Sequence, residues 1–164
     1  MLEFKFTDKS RIEHLLPDLF HILHSNMCLI APTNNSYEDD FKIWCSYLIP
    51  SMNNEQRQIV LMYVDETLAG YFRYYINLDT NSLMMEDVQI IKEFQGTGLF
   101  SAFYKWLVKQ LPNNLKSVEA YVSKRNLKSQ GVLGYLGLVK LGENKNGNSF
   151  YYKGAYADLL KKYK

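Results

Sequence analysis

The sequence predicts a mixed α/β (α+β) domain whose sheet is mostly antiparallel and flanked by helices. Three observations predict it. Strand-like runs at residues 59–64, 68–76 and 83–91 follow one another with only short turns between them, the pattern of an antiparallel meander. From residue 98 onward helix-like and strand-like runs alternate, which lays helices on the faces of that sheet. The chain has 164 residues, 47% hydrophobic and 22% charged, which is enough for one core and too apolar for a disordered chain.

The elements follow in order. Residues 2–6 alternate as a strand. Asp8 or Ser10 can cap a first helix, in which Ile12, Leu15, Leu16, Leu19, Phe20 and Leu23 repeat at helical spacing. Pro17 is expected to kink or divide it. After a polar loop at 32–36, Ser36 caps a second helix over 37–48, with Phe41, Trp44, Cys45 and Leu48 on one face and Pro50 as its stop. The meander comes next, its first hairpin turning at Asp65-Glu66-Thr67. A helix over 98–111 turns Leu99, Phe103, Trp106, Leu107 and Gln110 to one side and Lys105 and Lys109 to the other. Strands at 117–122, 138–141 and 149–153, a short helix at 126–136 and a closing helix at 155–163 complete the chain. No linker, repeat or low-complexity tract interrupts it, so a single domain over 1–164 is expected.

Composition narrows the function classes. A formal net charge of +2 gives no footprint for nucleic acid, and Lys161, Lys162 and Lys164 read as the wet face of a last helix. Cys28 and Cys45 stand in no metal-ligand spacing and read as reduced thiols. The N-terminus has no signal-like apolar stretch, and no run approaches the length of a membrane span. A cytoplasmic protein with no membrane partner is expected. His21 and His24, three apart, would make half a metal site, but no thiol or carboxylate is spaced to complete it, so no metal is expected.

The segment Gln95-Gly96-Thr97-Gly98-Leu99-Phe100 closes the third strand of the meander and opens a helix. A glycine-rich turn into a helix N-terminus is a place for phosphate, because the first N–H groups are unpaired and the dipole favours an anion. The P-loop string is absent, which argues against a nucleoside triphosphatase. Gly96, Gly98 and Glu119, about 20 residues on, fit a dinucleotide fingerprint, but it would need a third glycine where Ser101 stands and a first strand–helix unit where a meander stands.

Gln95, Gly96, Thr97 and Gly98 resemble the Q/R-x-x-G-x-G/A signature of the GNAT acyltransferase superfamily, with Phe100 in the last G/A place. Asn126, Ser129 and Gly137-Leu138 are similar to that family's N-x-x-A/S followed by G-F eleven and twelve residues after the asparagine. The element order resembles that fold from residue 2 to 153. The resemblance implies a GNAT-type sheet and acetyl-CoA as co-substrate. It implies that Gln95, Gly96, Thr97, Gly98, Leu99, Phe100 and Ser101 hold the pyrophosphate through main-chain N–H groups. Asn126 and Ser129 would also contact the donor, and an N–H in the stretch Val88, Gln89, Ile90 would bind the acyl carbonyl. The implied reaction moves an acetyl group to a primary amine of a small molecule or peptide, by direct attack. A non-catalytic acyl-CoA-binding or regulatory module of the same fold is the alternative, and a homodimer is left open.

The chemistry asks for a neutral amine, a stabilised oxyanion and a thiolate that can leave. Glu86 and Asp87 are the nearest carboxylates for a general base; they point to opposite faces of one strand, so at most one faces the acceptor, and both could equally be strand-end charges. Many family members carry a tyrosine seven residues after the asparagine as acid for the thiolate. Leu133 stands there, and Tyr135, two residues on, is turned roughly 200° around the helix. Tyr74 and Tyr75, and Tyr151 and Tyr152, point in pairs to opposite faces of their strands, so one of each pair is a candidate groove wall, with core or surface packing as the favoured role of each. Asp39 and Asp40 favour the dipole of the second helix and could also draw a cationic amine.

Overall fold

The computed structural model describes all 164 residues. Seven strands hydrogen-bond in the order β1-β2-β3-β4-β5-β7-β6. They are β1 (Leu2–Phe6), β2 (Arg57–Val64), β3 (Thr67–Asn77), β4 (Ser82–Ile90), β5 (Ser117–Ser123), β6 (Val139–Glu143) and β7 (Ser149–Ala155). Five helices accompany them: α1 (Ile12–Met27), α2 (Tyr37–Ser51), α3 (Leu99–Gln110), α4 (Leu127–Tyr135) and α5 (Tyr156–Tyr163). Parallel pairing joins β4 to β5, and antiparallel pairing joins β1 to β2, β5 to β7 and β6 to β7. The mixed, mostly antiparallel sheet expected from the sequence is therefore present. The chain forms two compact units, Met1–Arg73 with Asp87–Thr97, and Tyr74–Glu86 with Gly98–Lys164; β3 and β4 run through both.

In the first unit, α1 and α2 lay Ile12, Leu16, Leu19, Ile22, Leu48 and Met52 on Ile59 and Leu61 of β2 and Tyr71 of β3. The α1 helix runs undivided through Pro17. That residue and Glu13, whose carbonyl loses its partner to the proline, both lie on the exposed side. Ser36 caps α2 by accepting the Asp39 N–H at 3.1 Å. Pro50 does not stop α2 but sits in its last turn. The helix end tightens there: the Met52 N–H reaches Leu48 O and Ile49 O, and the Asn53 N–H reaches Pro50 O at 3.1 Å. The β2–β3 hairpin turns on Asp65 and Glu66, both at positive φ, as a two-residue turn matched to strand twist requires. Phe20 joins the helices by packing against Tyr37, Phe41 and Trp44, and His24 lies edge-on to Tyr37 at 4.7 Å. His24 is thus part of an aromatic cluster, while His21 is exposed.

In the second unit, α3 buries Leu99, Phe103, Tyr104, Leu107 and Val108. Tyr104 and Val108 hold the inward places that Trp106 and Gln110 were expected to take. Trp106 is half-buried and Gln110 exposed, so the buried stripe lies to one side of the expected one. Tyr104 stacks on Tyr163 of α5 and its hydroxyl meets Met85 Sδ at 3.6 Å. After α4, Gly137 takes a left-handed conformation and the Leu138 N–H bonds back to Leu133 O at 3.0 Å, closing the helix.

Candidate functional site

Between β4 and α3 the chain makes a one-turn 3-10 helix, Lys92–Phe94, and then two left-handed glycines, Gly96 at φ 75° and Gly98 at φ 87°. Neither glycine has a neighbour where a Cβ would stand. The glycines are therefore there for backbone conformation and for open approach, not for packing. Gln95 turns back, its Nε2 donating to Ile90 O at 2.8 Å, and the Thr97 hydroxyl donates to Phe94 O at 2.6 Å. These two bonds brace the turn from inside.

No side chain caps α3. The first of its N–H groups to find an acceptor is that of Ala102, on Gly98 O at 3.1 Å; those of Leu99, Phe100 and Ser101 have none. Leu99 is buried and anchors the helix start. The Phe100 ring lies against Tyr104 at 4.5 Å, so the bulky residue in the last place of the turn points along the helix surface and leaves its own N–H uncovered. Ser101 is exposed, with its hydroxyl beside that of buried Tyr163. Three free N–H groups at the positive end of a twelve-residue helix, behind two glycines, form an anion cradle made of main chain.

The end of β4 has a different construction. The parallel ladder with β5 runs from Ser82↔Ser117 to Met85↔Ala120 and stops, although β4 continues to Ile90. Beyond that point β4 keeps β3 as its main-chain neighbour, with the Ile91 N–H on Ala69 O at 2.8 Å, and side chains add to the tie. Tyr71 of β3 donates its hydroxyl to Asp87 Oδ2 at 2.6 Å, and Gln89 Nε2 donates to Asp87 Oδ1 at 2.7 Å. Asn26, in the last turn of α1, donates to Gln89 Oε1 and to Ile90 O, each at 3.0 Å. Burial, followed by the Asp87 charge and hydrogen bond, holds the Tyr71 proton in place well above the usual tyrosine range, while the nearby Arg73 charge pulls the other way. Asp87 is thus a fixed carboxylate, each of its oxygens oriented by a neutral donor. Glu86 and Val88 are half-buried on the same strand.

Gly70 of β3 allows the close approach of these strands. A Cβ there would stand 2.4 Å from Gln89 O and 3.1 Å from the Ile90 Cα. No motif in the sequence marks Gly70, Tyr71 or Asn26. A lone glycine inside a strand pattern was the available signal for the first of them; nothing local marks the other two.

The Asn126 carboxamide oxygen accepts the Ser129 N–H at 3.1 Å, which makes it the N-cap of α4. Leu133 is buried in the helix face. Tyr135 is 62% exposed, and the Lys162 ammonium sits over its ring at 3.5 Å from the centroid and bonds its carbonyl. The two residues leave α4 in different directions, as the 200° rotation requires.

Residues 16–138 match the model of the acetyltransferase (GNAT) family. No curated protein sequence matches the chain. Among solved structures, an acetyltransferase from Thermus thermophilus superposes with a TM-score of 0.72 at 16% identity, over 94% of this chain and 97% of that one. A PaiA N-acetyltransferase from Thermoplasma acidophilum, in complex with coenzyme A, gives 0.72 at 15% identity over 95% and 99%. The aminoglycoside acetyltransferase AAC(6')-Ib, also in complex with coenzyme A, gives 0.69 at 15% identity over 98% of each chain. At these identities the likeness is one of fold.

Proposed function

Since the chain belongs to the acetyltransferase (GNAT) family, we propose that it is a single-domain N-acetyltransferase that moves the acetyl group of acetyl-CoA directly to a primary amine. The observation that carries the reading is the main-chain cradle, with the free N–H groups of Leu99, Phe100 and Ser101 behind Gly96 and Gly98. A pyrophosphate suits it because its charge is spread over several oxygens that can each take one N–H. Gln95 and Thr97 serve the cradle by bracing it; Asn126 and Ser129 support the donor side through the capped start of α4. The Thermoplasma and aminoglycoside enzymes, with coenzyme A bound, favour the same ligand here.

In the reaction the amine nitrogen forms a bond to the thioester carbonyl carbon, the C–S bond breaks, and the proton lost by the amine ends on the thiol of CoA. N–H groups of the Val88–Gln89–Ile90 stretch would face the developing oxyanion, a role worth about 3 kcal/mol for each well-placed donor. Asp87 is the better placed of the two carboxylates to take the proton, because Tyr71 and Gln89 fix its orientation. The thiol of CoA, with a pKa of about 8.5, leaves without a side-chain acid. Leu133 and the outward Tyr135 give one observation for the rival reading, a module that binds acyl-CoA and transfers nothing.

Calorimetry with CoA and thiol release from acetyl-CoA with an amine panel test both. The enzyme reading expects CoA binding and amine-dependent release, with Gly98→Asp, which sets a carboxylate beside the three N–H groups, weakening CoA more than tenfold. Unchanged CoA affinity in that variant would remove the cradle assignment. Tight CoA binding with background release for every amine would leave the binding module.

A further inference from the structure

The main chain of β4 shows which of its groups face the open edge. In an antiparallel pair, residues that bond across alternate with residues whose N–H and C=O point away. Ile91 bonds across to β3, its N–H on Ala69 O at 2.8 Å. Ile90 and Val88 therefore turn their N–H and C=O groups the other way, to the edge where the ladder with β5 has ended at Met85. Gln89 turns its own groups toward β3, in keeping with its carbonyl oxygen lying 2.4 Å from where a Gly70 Cβ would stand. Within the stretch proposed to bind the acyl carbonyl, the N–H groups of Val88 and Ile90 face the open edge and that of Gln89 does not.

A strand paired on one edge only can tilt its peptide planes, and a donor that tilts must reorganise as charge develops. Here the Ile90 carbonyl is held. Asn26 Nδ2, from the last turn of α1, donates to it at 3.0 Å. Gln95 Nε2, from the turn that follows β4, donates to the same oxygen at 2.8 Å. The two amides use both lone pairs of that oxygen. The remaining Nδ2 hydrogen of Asn26 goes to Gln89 Oε1 at 3.0 Å. Side chains from a helix and a loop thus stand where a further strand would, and they fix the peptide planes around Ile90.

We infer that Asn26 is a positioning residue for the acetyl transfer: its bond to Ile90 O keeps the Val88 and Ile90 N–H groups aimed at the acyl carbonyl. The inference rests on the acyltransferase reading above and names the residue that sets its oxyanion donors. Asn26 touches none of the reacting atoms and acts through the main chain. Gln95 grips the same oxygen but also braces the cradle, so its loss would mix two effects. The side chain of Asn26 bonds to β4 alone, which makes it the residue to change.

The test uses Asn26→Leu, which keeps the size and removes the donor, and Asn26→Asp, which keeps the shape and sets an acceptor against two acceptors. Thiol release with the best amine of the panel gives kcat and KM, and calorimetry gives CoA affinity. Infrared spectra of acetyl-CoA labelled at the acetyl carbonyl give the displacement of the carbonyl band on binding, which reports the N–H bonds to that oxygen. In Asn26→Leu kcat is expected to fall about tenfold, because a misplacement near 1 Å costs about a hundredfold and Gln95 still holds Ile90 O. Asn26→Asp is expected to fall further. CoA affinity should stay within about threefold of wild type, a change under 1 kcal/mol, and the band should move back toward its position in free acetyl-CoA. A kcat within twofold of wild type in Asn26→Leu overturns the inference and leaves the acyltransferase reading standing. So does a fall in kcat with the band unmoved, or a loss of CoA affinity as large as the loss of turnover. If Asn26→Leu does not fold, Asn26→Asp is read against the same outcomes, and failure of both to fold gives Asn26 a structural role and overturns the inference. Background release by the wild type with every amine removes the acyltransferase reading, and this inference with it.

Discussion

Gly70→Ala separates the oxyanion role from the donor-binding role. The added Cβ would stand 2.4 Å from Gln89 O, and real Cβ atoms do not approach within 3.0 Å, so the strands must part by more than about half an ångström at that point. The obstacle is main chain on both sides, and neither a rotamer change nor a flexible side-chain tip can relieve it. Inserting a methyl group into such a place costs about 1–3 kcal/mol, and the upper end is expected because Ile90 Cα crowds it as well, at 3.1 Å. For a chain of this size each kcal/mol lowers Tm by about 2–4 °C, which makes the expected fall roughly 6–12 °C. The displaced segment is the one assigned to the oxyanion, and a misplacement approaching 1 Å there costs about a hundredfold in rate. The pyrophosphate is assigned to other residues, Leu99–Ser101, so CoA affinity should hold within about threefold of wild type, a change under 1 kcal/mol. Differential scanning fluorimetry gives Tm, calorimetry gives the CoA affinity, and thiol release gives kcat. A variant with full activity and unchanged Tm would refute the close strand approach; a variant that loses CoA affinity as severely as turnover would refute the assignment of separate roles to the two segments.

Three further outcomes are expected. Arg73→Met keeps the length of the stem and deletes the Nε N–H, which is buried without an acceptor and whose burden is about 1–3 kcal/mol, so urea unfolding should show a gain of about 1 kcal/mol; a loss of that size would give Arg73 a structural role. Tyr135→Phe keeps the ring under Lys162 and removes only the hydroxyl, so kcat should stay within about twofold, about 0.4 kcal/mol, and a tenfold fall would mean that the phenol protonates the thiolate. Burial raises the Tyr74 phenol from 10.0 to about 12; the folded state keeps the proton that the unfolded chain gives up, so stability is full below pH 10 and declines as pH rises from 10 to about 12, by up to about 1.4 kcal/mol per pH unit. Unfolding curves of wild type and Tyr74→Phe at pH 8, 10 and 11.5 check this, and parallel declines in the two proteins would count against it.

The fold was legible where one local rule decides. Alternation marks β1, apolar runs between short turns mark the meander strands, a serine before an acidic turn marks the start of α2, and the β2–β3 hairpin follows from three polar residues between two apolar runs. It was less legible where two rules compete. Pro50 breaks a helix ladder, yet the last turn of α2 needs few ladder bonds, so the helix ends beyond it rather than before it. On α3, spacing alone gave a stripe through Trp106 and Gln110. The stacking of Tyr104 on Tyr163, from an element far along the chain, rolls the buried face toward Tyr104 and Val108.

The donor cradle and the proposed base differ in legibility for a physical reason. The donor side is main chain, and a main-chain cradle demands of the sequence only that Gly96 and Gly98 tolerate positive φ, a demand visible in six consecutive residues. The network that orients Asp87, the proposed base, is side chains, drawn from the end of α1, from β3 and from β4, so no spacing within one element reports it. Gln89 shows what that network requires. It lies 9% exposed between Asn26 and Asp87, and its two ends do opposite work: Oε1 accepts from Asn26 and Nε2 donates to Asp87. Only a group with an acceptor at one end and a donor at the other can stand there. A glutamate of the same shape would set a second carboxylate against Asp87, and a methionine would strip the Asn26 amide and one Asp87 oxygen of these bonds in a place water hardly reaches. The sequence showed Gln89 as one more polar residue at the end of a strand. Its necessity is fixed by a carboxylate two residues before it and an amide sixty-three residues before it, which is why the sequence offers two neighbouring carboxylates as candidate bases but does not reveal the network that orients one of them.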